Sequence, residues 1–182
     1  MTVRKILQLL PFLVLTAPAT AQYGEVLNWE KQAETACNAY DFNGFFEAFL
    51  RSDKVRAKYS AKEIYKVRNG VPEPVAASAY SDFPLGMLDY SWVTAESVRK
   101  NAAGLPPPYE YVELEINVAS DRRARVDWVR MGYKNGSPDE GGEGDDRTGA
   151  YGQPGYLLFY PTEACWELVQ DTQGGDAPGP MQ

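Results

Sequence analysis

The chain has 182 residues, 44% of them hydrophobic, which is enough for one domain with a substantial core and too few for two comfortable ones. Its 18 basic and 25 acidic residues give a net charge of −7, and this balance disfavours nucleic acid as a partner because phosphate binding needs concentrated lysine and arginine. The sequence has no histidine, which excludes Ser-His-Asp and Cys-His catalysis and the usual zinc and haem sites. It also contains no phosphate-binding glycine loop and no Cys-x-x-Cys pair, so we expect no cofactor.

Residues 1–21 have the pattern of a secretory signal peptide. Arg4 and Lys5 precede an apolar run of about a dozen residues, and Ala-Thr-Ala at positions 19–21 provides an A-x-A cleavage site. The run is shorter than the roughly 20 residues that span a bilayer as a helix, which favours cleavage over the alternative of a membrane anchor. Cleavage removes two of the 18 basic residues and none of the 25 acidic ones, so the mature chain carries a charge of −9. We therefore expect a periplasmic or secreted protein with no stable membrane insertion after cleavage.

Cys37 and Cys165 are the only two cysteines in the sequence. An exported chain meets an oxidising environment, so a disulfide between them is the expected state. In the chain-entropy model, closing so long a loop stabilises the fold by on the order of 4 to 5 kcal/mol. The mature sequence is interpreted as a single α+β domain over residues 22–171, followed by a flexible polar tail over 172–182.

An aromatic helix follows the first cysteine. Its apolar residues recur at i, i+3, i+4, i+7 and i+8, the spacing that gathers side chains on one helix face; they are Phe42, Phe45, Phe46, Phe49 and Leu50. A first helix is expected over residues 24–40, before the aromatic helix. Asp41 or Asn43 is expected to cap the aromatic helix. A short basic helix capped by Ser52 or Asp53 comes next. Its cations form either a solvated face or a docking surface for an anion; they are Arg51, Lys54, Arg56 and Lys58.

The middle of the chain alternates between loop and strand signals. The proline-rich segment 71–84 is predicted to be a loop, whose Tyr80 and Phe83 fold back over the core. Residues 85–93 are predicted to form one strand. Thr94 is expected to cap a brief helical turn after that strand.

The clearest β signal is a hairpin whose register follows from its alternation. The apolar positions of its two strands are Val112, Leu114, Ile116, Val118, Ala124, Val126 and Trp128. Apolar residues must face each other across the pair, so the numbers of paired residues must sum to an even value. A three-residue loop at 119–121 meets this condition. It sets Leu114 opposite Val126, and Glu115 opposite Arg125.

The last third of the sequence combines a loop signal with two strands. The apolar phase slips near Trp128, which predicts a β-bulge or a strong bend there. Residues 135–155 are glycine-rich and charged, and they are predicted to form a long mobile loop. Its acidic residues match no EF-hand spacing, so we expect no metal site; they are Asp139, Glu140, Glu143, Asp145 and Asp146. Residues 156–160 and 165–170 are predicted to make the final strand pair.

The candidate catalytic groups are carboxylate and tyrosine side chains, because histidine is absent. Asp89 and Asp127 each interrupt a strand rich in aromatic residues, where burial could equip a carboxyl group for acid–base work. Tyr90 could help to polarise a carbonyl group. The alternative is that both aspartates alternate onto the solvent face. The candidate binding residues are aromatic, with cross-strand packing as the alternative for the tyrosines; they are Trp92, Tyr109, Tyr111 and Trp128.

The order of elements, N-terminal helices and then antiparallel strands, together with the helix pair FFEAFLRSDKVRAKYS, resembles the NTF2-like and cystatin-like superfamilies. The resemblance covers roughly residues 25–171, and the chain also resembles short exported proteins of Gram-negative bacteria. It implies an α+β fold in which N-terminal helices pack on a curved antiparallel β-sheet to form a cone. Some members of these superfamilies are isomerases or dehydratases with Asp and Tyr in the cone, and others are binding modules. This sequence lacks the histidine found in several of the enzymes, which disfavours catalysis.

Three functional hypotheses follow. The first is an exported, non-catalytic domain that binds a protein or a small molecule, since the chain is rich in tyrosine and tryptophan and has no catalytic constellation. The second is an isomerase or dehydratase of the cone type, with Asp89 or Asp127 as the base. The third is an inhibitor or immunity protein whose acidic loop plugs the active site of a basic effector.

Overall fold

The chain folds into helices that lie against one β-sheet. The structure, a computed structural model, describes residues 28–134, 136–138 and 146–174. Within these residues the elements are α1 (Trp29–Ala39), α2 (Phe42–Arg51), α3 (Asp53–Lys58), β1 (Ser60–Arg68), β2 (Val71–Ala76), β3 (Leu85–Leu88), β4 (Ser91–Thr94), α4 (Ala95–Ala102), β5 (Tyr111–Val118), β6 (Ala124–Tyr133), β7 (Arg147–Pro161) and β8 (Trp166–Gln173). No helix in this part of the chain is long and apolar enough to cross a membrane.

The strands form one sheet in the order β2-β1-β8-β7-β6-β5-β4-β3. Every neighbouring pair is antiparallel except β1 and β8, which run parallel. The predicted α+β fold, with N-terminal helices, a largely antiparallel sheet and one disulfide, is confirmed. β1 forms a hairpin with β2, whereas β1 and β8 lie far apart in the sequence. No tight turn joins β1 to β8, so the two strands can run parallel.

The aromatic helix is confirmed as α2, and side-chain caps mark the first turn of α2 and of α3. The Asp41 side chain accepts the backbone N–H of Gly44 at 3.1 Å, and the Ser52 side chain accepts that of Val55 at 3.3 Å. Each cap satisfies a backbone donor that has no partner within the first helical turn. The chain therefore leaves α2 and enters α3 at Ser52.

Phe159 of β7 is the centre on which α2 packs. The ring centroids of Phe42, Phe45, Phe46 and Phe49 lie 5.3, 6.1, 5.8 and 5.2 Å from that of Phe159. The five rings are between 0% and 4% exposed. Aromatic side chains bury large areas and favour such edge-to-face contacts. The space between α2 and the middle of the sheet is therefore filled by side chains.

The disulfide between Cys37 and Cys165 is present, as predicted. It joins α1 to the residue before β8, with a Cα–Cα distance of 4.9 Å and a sequence separation of 128. Both cysteines are buried. The bond thus holds the first helix against the last strand.

The expectation of a loop over 71–84 is wrong for its first half. Residues 71–76 form β2, which pairs with β1 at the edge of the sheet. An edge strand tolerates Pro72 and Pro74, because a missing N–H on the outer side breaks no ladder bond. Phe83 is 7% exposed and its ring meets that of Phe49. The predicted folding of this segment over the core is thus present.

The expectation of one strand over residues 85–93 is also wrong. The segment is a hairpin of β3 and β4, in which Leu88 pairs with Ser91. Asp89, in the two-residue turn, has a φ of 49°, and aspartate tolerates this left-handed region better than most residues. Because Asp89 and Tyr90 form the turn, both are exposed. The α4 helix that follows is capped by Thr94, as predicted.

The β5–β6 hairpin has the predicted parity but a different register. Leu114 lies opposite Trp128, and Glu115 lies opposite Asp127 and not opposite Arg125. The loop spans residues 119–123 and is stabilised within itself, since the Asp121 side chain accepts the backbone N–H of Arg123 at 3.1 Å. A register shift of two residues keeps every side chain on its face, so the apolar pattern is the same in both registers.

The predicted bulge near Trp128 is confirmed, with its extra residues on β7. Trp128 pairs with Gly155, while Arg130 pairs with Tyr151. The expectation of a loop over 135–155 is wrong from Arg147 onward, where β7 begins. The last strand pair is confirmed, and β8 runs to Gln173, past the predicted start of the tail.

Several predictions fall on other parts of the chain. The predicted signal peptide (1–21), most of the acidic segment (139–145) and the end of the tail (175–182) lie outside the described residues.

Candidate functional site

A groove at one end of the sheet collects most of the predicted site residues. We call it the tyrosine groove and define it by Tyr90, Tyr109, Tyr111 and Tyr133. It consists of two adjoining clefts of about 460 and 500 Å3, which share Ser91, Tyr111 and Pro138. Asp89 and Tyr109 line the first cleft, and Tyr90 and Trp92 line the second. The sequence brings these residues together because the β3–β4 turn lies beside the start of β5.

The β3–β4 turn is held from the side of α2. The Arg51 guanidinium donates to the carbonyl oxygen of Asp89 at 2.5 Å, and it also pairs with Glu47 at 3.0 Å. Tyr90, next in the turn, is 90% exposed. Of the two alternatives for Asp89, burial and the solvent face, the structure shows the second, for the residue lies in an exposed turn. A fixed turn thus presents a carboxylate and an exposed phenol ring to solvent.

Tyr111 stands between the two clefts. Its ring meets that of Tyr133 edge-on, with centroids 5.7 Å apart. Burial raises the pKa of Tyr111, and the nearby Tyr109 and Asp89 raise it further. The hydroxyl of Tyr109 lies 3.0 Å from the side-chain oxygen of Asn101, which anchors it to α4. Two tyrosines of the groove, Tyr111 and Tyr109, are therefore held in place by neighbouring side chains.

Asp127 and Trp128 do not lie in the tyrosine groove. Asp127 is in the middle of β6 and pairs with Arg125, whose guanidinium sits 4.1 Å from the ring centroid of Tyr156. Trp128 is 5% exposed and belongs to the core, so it has almost no surface to offer to a ligand. Catalysis by Asp89, Tyr90 and Asp127 stays a prediction, with the groups divided between two elements.

The cations of α3 and its surroundings are largely occupied by acidic groups of the same chain. Lys58 pairs with Glu34 at 2.8 Å, and Arg56 pairs with Asp53. Arg56 also donates to the carbonyl oxygens of Phe49 and Leu50 at 2.9 and 2.8 Å. These contacts favour the solvated and structural interpretation of the basic helix over an anion-docking surface.

A third cavity of about 490 Å3 lies between α3 and α4. Leu50, Phe83 and Leu85 form apolar parts of its wall, and Arg56 and Tyr80 supply polar ones. Burial lowers the pKa of Arg56, although Asp53 opposes the shift. The Arg56 guanidinium already donates to two carbonyl groups at the end of α2. Its main role is therefore to cap the C-terminal end of that helix.

A buried polar cluster beside this cavity is absent from the sequence-based predictions. Asp171 of β8 is fully buried and accepts hydrogen bonds from Arg68 at 2.7 Å and Tyr80 at 2.9 Å. Burial raises the pKa of Asp171, while Arg68 and Tyr80 act against the shift. Burial and the adjacent Asp171 carboxylate raise the pKa of Tyr80. The cluster fastens the segment before β3 to the centre of the sheet.

The alternation of β8 gives no signal for this cluster. Leu158 pairs with Gln170 but Phe159 pairs with Leu168, so Val169 is an extra residue in β8. One extra residue reverses which face each later side chain occupies. Asp171 consequently points inward, although its spacing from Leu168 predicts the opposite face. No group of three or more acidic or cysteine side chains within the described ranges is arranged to hold a metal ion.

No protein-family model matches the sequence, and no curated protein does. Solved structures with a similar chain path include a DUF4783 family protein from Bacteroides ovatus, with 10% identity, 70% of this chain and 87% of that chain covered, and a TM-score of 0.36. Another is an NTF2-like protein of unknown function from Shewanella oneidensis, with 12% identity, coverage of 81% and 93%, and a TM-score of 0.30. A third is an NTF2-like protein with a cystatin-like fold from Novosphingobium aromaticivorans, with 9% identity, coverage of 83% and 79%, and a TM-score of 0.29. NTF2-like proteins are thus among the solved structures to which this chain is similar.

Proposed function

We propose that the protein is an exported binding domain that holds a protein partner or a small molecule in the tyrosine groove without catalysing a reaction. The observation that carries this proposal is the packing of α2. Its phenylalanines and Phe159 fill the space over the middle of the sheet, so a ligand must bind elsewhere, and an open surface is present at the end of the sheet. The tyrosine groove lies there.

The chemistry of the groove supports binding. Tyrosine and tryptophan supply large contact areas with a polar handle and lose little conformational entropy on binding. Tyr90 is 90% exposed and stands on a turn that Arg51 fixes. An exposed ring on a rigid support is typical of a residue that anchors a partner.

A matched pair of tyrosine variants tests the proposal. Tyr90→Ala removes the exposed ring of the groove. Tyr65→Ala removes a ring that is 48% exposed on β1, near the opposite edge of the sheet. The purified mature protein and both variants are incubated with the exported fraction of the source organism and analysed by native mass spectrometry. We expect wild type and Tyr65→Ala to retain the same bound species, and Tyr90→Ala to lose about tenfold or more of it. Equal retention by all three proteins would show that the groove is not the binding surface.

The inhibitor hypothesis has one supporting observation of its own. Pro138 lines both clefts, and the acidic residues Asp139 and Glu140 follow it directly in the sequence. The acidic segment is thus adjacent in sequence to a residue that lines the groove, which supports this hypothesis. Deletion of residues 139–146 should abolish inhibition of such an effector, and undiminished inhibition would exclude the hypothesis.

A further inference from the structure

We propose that the outer edge of β5 binds an extended, lysine- or arginine-bearing segment of a protein partner as an added β-strand. The inference rests on the proposed function and deepens it by naming the class of partner. Strand addition uses the backbone for affinity and alternate side chains for specificity. The edge in question begins where the tyrosine groove ends.

The edge exists because β4 and β5 separate after a single residue pair. β5 pairs with β6 along its whole length, from Tyr111 to Val118. With β4 it pairs only at Tyr111, opposite Val93, beside the hydrogen bond from the Thr94 N–H to the Glu110 carbonyl. The cleft of about 500 Å3 opens at this point, between Trp92 and Leu114.

The hairpin loop fixes which backbone groups face outward. The Ala119 N–H donates to the Arg123 carbonyl at 2.9 Å, so the backbone of Ala119 points toward β6. Successive residues of an antiparallel strand point alternately to one neighbour and the other. The backbone groups of Leu114, Ile116 and Val118 therefore point away from β6. Within residues 28–134, 136–138 and 146–174, no strand pairs with these three.

The charged side chains on one face of β5, Glu113 and Glu115, determine which residues the added strand should carry. Glu115 lies directly opposite Asp127 on β6, and like charges opposite each other are unfavourable. Asp127 has Arg125 as its partner, and the neighbouring Glu113 has Arg147 at 2.6 Å. A lysine or arginine next to Glu115 on the added strand would offset the repulsion between the two carboxylates. The other face of β5 offers apolar contacts, with Leu114 and Ile116 half-buried and Val118 49% exposed.

These features favour a segment in which basic and apolar residues alternate. A second copy of this chain is a poorer occupant, because it would bring another Glu113 and Glu115 to the same edge. The net negative charge of each chain, −7 for the full sequence and −9 after the expected cleavage, adds to that repulsion. A basic partner strand would bring neither additional glutamates nor additional negative charge to the edge.

The experiment uses the mature chain and synthetic peptides, with amide hydrogen exchange measured by NMR. The probe is a capped eight-residue peptide of alternating valine and lysine, and the comparison peptide alternates valine and glutamate. We expect the valine–lysine peptide to slow exchange at Leu114, Ile116 and Val118 by about tenfold or more, and the valine–glutamate peptide to leave it unchanged. Glu115→Lys should weaken binding of the valine–lysine peptide by about fivefold or more, and Glu115→Gln by less.

The matched control is Glu63→Lys, which makes the same charge change at an exposed site on β1 and should leave binding unchanged. Equal weakening by Glu63→Lys and Glu115→Lys, or protection spread over the whole surface, would overturn the inference in favour of general charge attraction. Protection of the three amides in the free chain would also overturn it, by showing that the chain itself occupies the edge, or a second copy if the protection grows with protein concentration. If the edge fails while Tyr90-dependent capture holds, the strand addition is wrong and the proposed function stands.

Discussion

The ring of Phe49 in α2 meets the ring of Phe159 in β7 edge-on, with centroids 5.2 Å apart and an interplanar angle of 82°. Three further rings of α2 contact the same Phe159. One strand residue therefore contacts the four phenylalanines on the apolar face of the helix. The amphipathic pattern of α2 thus corresponds to the packing of its phenylalanines on one residue of β7.

Replacement of Phe159 by alanine should destabilise the protein by about 3 to 5 kcal/mol, because it removes the partner of four rings and leaves a cavity. The measurement is the free energy of unfolding in urea. Tyr160→Ala, at the next position on β7 and 43% exposed, should change stability by only about 0.5 kcal/mol or less. Similar losses for the two variants would contradict the central role of Phe159.

Removal of the disulfide should be costly for a different reason. Replacing both Cys37 and Cys165 by alanine frees a loop with a sequence separation of 128, which the chain-entropy model values at about 5 kcal/mol. Wild type unfolded in the presence of a reductant should show a loss similar to that of the double variant. A loss below about 1 kcal/mol in both would mean that the unfolded chain stays compact without the bond.

Side-chain periodicity predicted the elements better than their pairing. The spacing of phenylalanines predicts α2, and the parity of Leu114 and Trp128 predicts which face of the hairpin is buried. The register was wrong by two residues, because a shift of two leaves the apolar pattern unchanged. The turn at Asp89 was missed since the alternation of apolar residues continues through the β3–β4 hairpin.

The candidate site, too, is predicted only in part by the sequence. Residue type alone predicts Tyr90, Trp92, Tyr109 and Tyr111 as site residues, and the structure gathers them in one groove. Phe159 and the Asp171 cluster could not be found from the sequence, because each depends on contacts between distant segments. For Asp171 the reason is also local, since the extra residue Val169 reverses the phase of the strand.

The buried Asp171 carboxyl group should make stability depend on pH. Burial raises its pKa in the folded protein above the ordinary value, so the folded state holds the proton more tightly than the unfolded state. Its stabilising contribution is therefore complete below the ordinary carboxyl pKa of about 4, and it is lost as the pH rises through the raised value. The free energy of unfolding of wild type should fall over this window.

Two variants separate this effect from the titration of other carboxyl groups. Asp171→Asn cannot ionise, so its curve of unfolding free energy against pH, measured in urea from about pH 3 to 8, should lack that fall. Glu63→Gln, at an exposed position of β1, should retain the wild-type curve. Parallel curves for wild type and Asp171→Asn would show that Asp171 does not titrate differently in the two states.

Gly155 should be intolerant of any side chain, because the β7 backbone and the indole of Trp128 are in close contact there. A Cβ at this position would lie 2.5 Å from two ring carbons of Trp128 and 2.6 Å from the backbone oxygen of Thr172. The indole could shift, but the backbone oxygen belongs to the neighbouring strand β8 and cannot move alone. Gly155→Ala should therefore destabilise the protein by about 1 to 3 kcal/mol in urea unfolding, as overpacking does. Gln153→Ala, an exposed change on the same strand, should stay within about 0.5 kcal/mol of wild type. An unchanged stability for Gly155→Ala would mean that β7 and β8 separate there at little cost.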